Sequence, residues 1–460
     1  MKFKGLLVVL VYEIVFLSHA YAVRPPAVGI PVPELSIFDT VMQDLMESNN
    51  ITGGELAVMR NGTVVFQRSY GWQDEALTRP LAPDALMRIA SCTKPFTAAA
   101  VRKLISQGQL SLTNRIFSLG VAGAGILPYE SFGAPDPRLQ DITVQHCLQH
   151  TGGWDATVTG ELNFQEARIA AEMGVTSPPG RTNVVRWIMG QPLQFDPGTA
   201  TKYSNTGYLL LGLVIEQVSG KDYLTFLREN VTRPIGIPDS ELELAHTFAV
   251  DGNPREPYYN DSELGTNLFY PTFSNDQLVE NPYGTFDMEA RDSNGRIITT
   301  SRALLTYLQN FIVYGQNIGL SWAQGANWAH SGSLPGSESI AYQRKDGINI
   351  AVIFNKRDTT TSYAVTVKDT LKTIIDAGQI SSWPTNDPYT TPPQQPLLKA
   401  EAPVLTVRLA TEPGRFYQAS YSTNLQQWTD WGTPFVGDSL DKVLNIGGGF
   451  SQLFFRVNVR

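Results

Sequence analysis

Cysteine is scarce in this 460-residue chain, with Cys92 and Cys147 the whole complement. Two thiols cannot build a disulfide scaffold, so the fold must rest on a hydrophobic core, and the pair reads as two buried thiols rather than one bridge. Charge is also thin. Only 17% of residues are charged, and 35 Lys and Arg against 43 Asp and Glu leave a net charge of −8. There is no Lys/Arg run, and phosphate recognition depends on clustered positive charge, so nucleic acid is excluded as a partner. Beyond Leu17 no apolar run reaches the length of a membrane span. Several chemistries have no signature: no Gly-x-Ser-x-Gly elbow, no His-Glu-x-x-His, no Gly-x-x-x-x-Gly-Lys phosphate loop and no Cys pair at metal spacing.

What is present begins with an export signal. Lys2 and Lys4 precede an apolar stretch from Gly5 to Leu17, interrupted by Glu13, and Ala20-Tyr21-Ala22 supplies a small-x-small cleavage site. Residues 1–22 therefore read as a signal peptide and the mature chain as secreted, periplasmic or extracellular.

The main body is expected over residues 31–380. An amphipathic stretch from Leu35 to Met46 has helical spacing. Glu55–Arg60 and Thr63–Arg68 flank Asn61-Gly62, the pair that supplies the positive φ angles of a tight hairpin. A second hairpin is expected where Ser337–Arg344 and Ile348–Phe354 flank Lys345-Asp346-Gly347, followed by a helix from Tyr363 to Ala377 that Gly378 stops. Residues 381–400, rich in Ser, Thr, Gln and Pro, read as a semi-extended linker. Residues 401–460 alternate in short runs such as Val404–Leu409 and Leu453–Val459 and read as a small all-β module.

A serine and a lysine carry the first chemical signal. Ser91-Cys92-Thr93-Lys94 stands ahead of a helical run, Pro95 to Ile105, and three residues is about one turn, so the Lys94 amine can reach the Ser91 hydroxyl. A serine hydroxyl is a poor nucleophile without such help, and a helix N-terminus favours developing negative charge. Ser-x-x-Lys alone is weak, since it recurs at Ser439–Lys442. Tyr203-Ser204-Asn205 adds a phenol and an amide at the start of an apolar helix, Gly207 to Val218. Tyr258–Asn260 repeats that spacing without the helix. Trp328-Ala-His330-Ser331-Gly332-Ser333 then sets a hydrogen-bonding ring and a glycine on an expected edge strand before the second hairpin, where backbone N–H groups can face a substrate carbonyl. His150-Thr151-Gly152 is a rival for the His-x-Gly pattern but precedes the tyrosine.

The order Ser-x-x-Lys, Tyr-x-Asn, His-x-Gly resembles the serine β-lactamase and penicillin-binding-protein superfamily, in its class C branch with the related esterases and D-aminopeptidases. Ile142-Thr-Val-Gln-His-Cys-Leu-Gln-His-Thr-Gly-Gly153 and His330-Ser-Gly-Ser-Leu-Pro-Gly336 are similar to the same branch, and the likeness runs from about Leu35 to Gly378. It implies an α+β fold of the β-lactamase/transpeptidase type, an antiparallel sheet flanked by helices with a mostly helical subdomain, ahead of the β tail. It implies Ser91 as the nucleophile that forms an acyl-enzyme, Lys94 as its base, Tyr203 as a proton carrier, and Asn205 orienting a substrate amide or the lysine. The N–H groups of Ser91 and Ser333, beside Gly332, would hold the oxyanion.

His330 stands where the β-lactamases carry lysine, which disfavours a substrate carboxylate and favours uncharged esters or amides. No metal or organic cofactor is required. The expected activity is thus ester or amide hydrolysis on a small molecule, with a D-amino-acid peptidase, a β-lactamase and a non-catalytic penicillin-binding or sensor protein as alternatives. Trp154, Trp187, Phe269, Tyr270, Phe273, Tyr283 and Phe286 are expected to pack a helical subdomain, with an acyl-pocket wall as the other reading. The tail could contact a surface or carbohydrate.

Overall fold

The computed structural model describes residues 24–261, 263–272, 275–313 and 326–389, and beyond them chiefly the strands of the tail. The signal-peptide reading of residues 1–22 and the aromatic Phe273 lie outside the described residues.

The elements that position the site are β1 (Ala27–Val28), α1 (Ser36–Ser48), β2 (Gly53–Arg60), β3 (Thr63–Gly71), α2 (Thr93–Ser106), α3 (Asn205–Ser219), α4 (Ser301–Asn310), β4 (Trp328–Leu334), β5 (Ser337–Gln343), β6 (Ile348–Phe354) and α5 (Tyr363–Asp376). The strands form one antiparallel sheet in the order β1-β3-β2-β6-β5-β4, so chain segments almost three hundred residues apart pair at its centre, Ala57 opposite Ala351. Both hairpins form where the turn residues require them. Asn61 and Gly62 have φ of 50° and 82°, the primed geometry that matches strand twist, and Gly347 has φ 83°.

Alternation divides the sheet. Leu56, Val58, Ile350, Val352 and Phe354 point to one face, where Phe38, Met42 and Met46 of α1 and Val367, Leu371 and Ile374 of α5 cover them. The opposite face carries small residues in register: Ala57 pairs Ala351, Ala351 pairs Ala341, and Ala341 pairs His330 on the edge strand β4. With so little side chain there, α4 (Leu304, Leu305, Leu308) and the start of α2 (Cys92, Phe96) join that face in one buried cluster. The same cluster continues into a helical subdomain through Cys147, Trp187 and the apolar side of α3 (Leu210, Leu211, Val214).

The two cysteines are free and buried. Of the expected packing aromatics, Trp154, Trp187, Phe269 and Phe286 are buried in the core clusters, whereas Tyr270 is exposed. The segment read as a linker is anchored at its start: Trp383 packs against Phe38, Asp387 pairs with Arg302, and the Tyr389 hydroxyl accepts from Gln67 N at 2.9 Å and donates to Ile30 O at 3.3 Å. The first strand of the tail, Lys399–Glu401, begins two residues inside that segment. The tail strands form two three-stranded antiparallel sheets, Lys399–Glu401, Leu405–Leu409 and Lys442–Ile446 in one, Thr429–Val436, Phe416–Ser422 and Phe454–Val459 in the other.

Candidate active site

Ser91 occupies a single 3-10 turn, Ala90–Cys92, that runs directly into α2. Ala90 adopts φ 47°, a left-handed conformation costly for a residue with a Cβ. Neighbouring strands hold it there. Ser339 of β5 donates to Ile89 O at 2.7 Å, Ser337 donates to Arg88 O, and the Cys92 thiol donates to His330 O at 3.1 Å. Cys92 thus faces inward, and burial pushes its thiol up to about 12, which leaves it protonated and unreactive.

Lys94, fully buried, lies one turn beyond Ser91 on the same side of the helix. Its Nζ donates to Ser91 Oγ at 2.8 Å and to the carbonyl of Asn294 at 2.7 Å. The Tyr203 hydroxyl reaches Ser91 Oγ from the other side, also at 2.8 Å. Tyr203 comes from the loop leading into α3 and is 44% exposed. Burial drives the two pKa values in opposite directions. The Lys94 ammonium is destabilised and its pKa falls to about 7, Glu161 opposing the fall with its negative charge. The phenolate is destabilised and the Tyr203 pKa rises. Near pH 7 the resting site therefore offers a substantially neutral amine and a neutral phenol on one hydroxyl.

A cavity of about 550 Å³ opens over this triad, lined by Ser91, His150, Thr201, Tyr203, Asn205, Ala329, His330, Ser331 and Ser333. The lining carries no Lys, Arg, Asp or Glu. His330 is on β4 as expected, and burial together with the Lys94 charge lowers its pKa to about 3, so it is neutral; its Nε2 has no hydrogen-bond partner. Gly332 allows β4 to pass the Ser91 turn closely. A Cβ there would stand 2.9 Å from Ser91 N and 2.6 Å from Ser339 Oγ, and nearer still to Ile89 O. None of the six described aromatics among those considered as an acyl-pocket wall lines this cavity. No cluster of three or more His, Cys, Asp or Glu that could hold a metal exists among the described residues.

All seven residues singled out in the sequence are therefore in one place, five lining the cavity and Lys94 and Gly332 directly beneath Ser91. Three further residues belong to the site, two of them, Asn294 and Ser293, without any local signature. Asn294 accepts from Lys94 through its carbonyl and donates through Nδ2 to Asn205 O at 3.3 Å. Ser293, beside it, accepts from Thr97 of α2 at 2.6 Å and donates to Tyr208 O of α3 at 2.8 Å, so this short bend stitches the two helices together. His150, noted only as a rival His-x-Gly, stands against Tyr203 with ring centroids 4.7 Å apart.

A serine bonded by a buried amine and a phenol, set at a helix start beside an antiparallel edge strand, is the arrangement expected of the serine β-lactamase and penicillin-binding-protein superfamily. The chain belongs to the β-lactamase family, whose model, described as "Beta-lactamase", matches residues 38–368. It is 29% identical over 198 residues to Protein flp of Staphylococcus aureus (strain COL), a match covering 43% of this chain and 36% of that protein. The chain thus spans well under half the length of the curated relatives it matches. The D-amino acid amidase of Ochrobactrum anthropi SV3, complexed with L-phenylalanine amide, shares the fold with a TM-score of 0.53 at 19% identity, over 76% of this chain and 99% of that one. EstCE1, a hydrolase with promiscuous acyltransferase activity, does so with a TM-score of 0.52 at 18% identity, over 74% and 98%.

Proposed function

We propose that this chain is an exported hydrolase that cleaves uncharged ester or amide substrates through an acyl-enzyme on Ser91. The observation that carries the reading is the convergence of Lys94 Nζ and Tyr203 Oη on Ser91 Oγ, each at 2.8 Å. The neutral fraction of Lys94 takes the Ser91 proton as Oγ attacks the substrate carbonyl. The developing oxyanion is met by the N–H groups of Ser91 and Ser333, which Gly332 allows to lie close together. Tyr203 passes a proton to the leaving group and then orients water for hydrolysis of the acyl-enzyme, while Asn205 aligns the substrate amide or acyl chain. Their titrations are coupled, so the pH dependence belongs to the pair.

Substrate class follows from charge. A neutral His330 at the position where a cation would hold a carboxylate, in a cavity without Lys or Arg lining, supports an uncharged acyl donor over a β-lactam or a peptide C-terminus. The amide named with one structural neighbour and the hydrolase named as another are consistent with this choice. Export rests on Lys2, Lys4, the apolar stretch to Leu17 and Ala20-Tyr21-Ala22.

The test is release of p-nitrophenol from a short-chain ester, followed through the first turnovers, with wild type and Ser91→Ala in parallel. Turnover that disappears with Ser91 and exceeds cephalosporin hydrolysis supports the assignment. Equal rates in the two proteins would end it, and a burst without turnover would favour a sensor that acylates once.

A further inference from the structure

The loop that carries Tyr203 is laid on His150 at successive points. The His150 carbonyl accepts from Lys202 N at 2.8 Å, and its Nδ1 accepts from Ser204 N at 3.2 Å. Between these two bonds its ring lies against that of Tyr203, 4.7 Å between centroids at 33°, with Tyr208 at 5.1 Å. The residue does this from the left-handed position, φ 57°, that closes the short helix Val144–Leu148, where Thr151 N donates to His146 O at 2.9 Å. It also lines the cavity over Ser91.

We propose that His150 is the positioning residue for Tyr203, packing against the phenol ring and accepting the Ser204 N–H so that the hydroxyl meets Ser91 Oγ. This rests on the reading of Tyr203 as proton carrier given above. Because Nδ1 is an acceptor, the imidazole proton sits on Nε2. Burial and the nearby Lys94 charge lower the His150 pKa to about 4, which keeps that acceptor available at neutral pH. A residue that merely filled space would not need the acceptor.

A double-mutant cycle on p-nitrophenyl ester hydrolysis tests it, using His150→Asn, Tyr203→Phe, the double variant and Ser91→Ala. Asparagine tolerates a left-handed backbone and removes the ring. His150→Asn is expected to lower kcat about ten- to a hundredfold with KM within about threefold, since a positioned proton carrier contributes factors of this order or more. In the Tyr203→Phe background the same change is expected to cost no more than about twofold, because both residues act as one unit. Losses that multiply, a His150→Asn protein with unchanged kcat, or a harmless Tyr203→Phe would each overturn the proposal. If Ser91→Ala retains full activity, the hydrolase reading has failed instead. A second measurement needs no variant: the 15N shifts of the wild-type histidine rings between about pH 5 and 8. An unprotonated His150 Nδ1 throughout is expected, and a protonated one would refute the assignment.

Discussion

Lys94 donates to the main-chain carbonyl of Asn294, a 2.7 Å hydrogen bond between residues two hundred positions apart. The Asn294 side chain bonds Asn205 in turn, so the amine bonded to Ser91 and the helix that follows Tyr203 are held by the same residue. The Lys94 pKa, lowered to about 7 by burial and supported by the Glu161 charge, then governs activity. Below about pH 7 the amine is protonated and cannot take the serine proton. The value of kcat/KM is expected to rise with pH through that region, and Glu161→Gln should move the midpoint lower by withdrawing the charge that favours the ammonium. A pH–rate profile of both proteins decides this; a midpoint that moves up contradicts it.

Gly332→Ala tests the oxyanion site. The added methyl meets backbone atoms of the Ser91 turn, which cannot rotate away as a side chain would. The turn and β4 must separate, and the Ser91 and Ser333 N–H groups no longer converge. Loss of one such donor costs about 10²–10³ in kcat. A fall of that size is expected in steady-state assays, with the near-UV circular dichroism preserved.

Glu55 provides a stability prediction independent of catalysis. It is fully buried under the N-terminus of α4, where Oε2 accepts from Ser301 N at 2.9 Å and Oε1 has no partner. Burial raises its pKa to about 8 from 4.5, so the folded state binds more protons than the unfolded state between those values. Its contribution is fully present below pH 4.5 and is lost as pH rises through about 8. Glu55→Gln removes that loss. Thermal unfolding should show the variant gaining on wild type as pH increases, and parallel curves would disprove the assignment.

Cys92 and Cys147 are buried free thiols whose pKa values burial raises. An aromatic disulfide reagent should find no reactive thiol in the native protein and two in denaturant without reductant. Fewer than two would reveal a bridge.

Where local chemistry determines structure, the sequence was legible. Asn61-Gly62 could only be a tight turn between two apolar runs, and Gly220 and Gly378, at φ 67° and 66°, end helices as their positions indicated. Ser91 and Lys94 were readable as a pair because one helical turn fixes their distance. Tyr203 and His330 needed the combined order of three short patterns, since no local rule relates residues more than a hundred positions apart. Asn294, Ser293 and Glu161 were not legible at all: they reach Lys94, Asn205 and the helices only through tertiary packing, with no recurring spacing. His150 was visible as His-Thr-Gly, but the pattern said nothing of the ring against Tyr203. The row Ala57, Ala351, Ala341 illustrates the same limit, because three alanines scattered over the sequence become one flat floor only after the strands pair.

The bonds from Tyr389 to Gln67 and Ile30 have a consequence for biogenesis. They join the first and last parts of the hydrolase body across as many as 359 positions. At about 5–20 residues per second, ribosomal synthesis needs roughly 20 to 70 seconds to cover that span. For most of that interval, from Gly71 until Ile348–Phe354 is made, the β2–β3 hairpin lacks β6, its central partner, and displays an open edge. A body whose first hairpin and last strand must pair cannot complete its sheet while it is still being made, which suits the export proposed above.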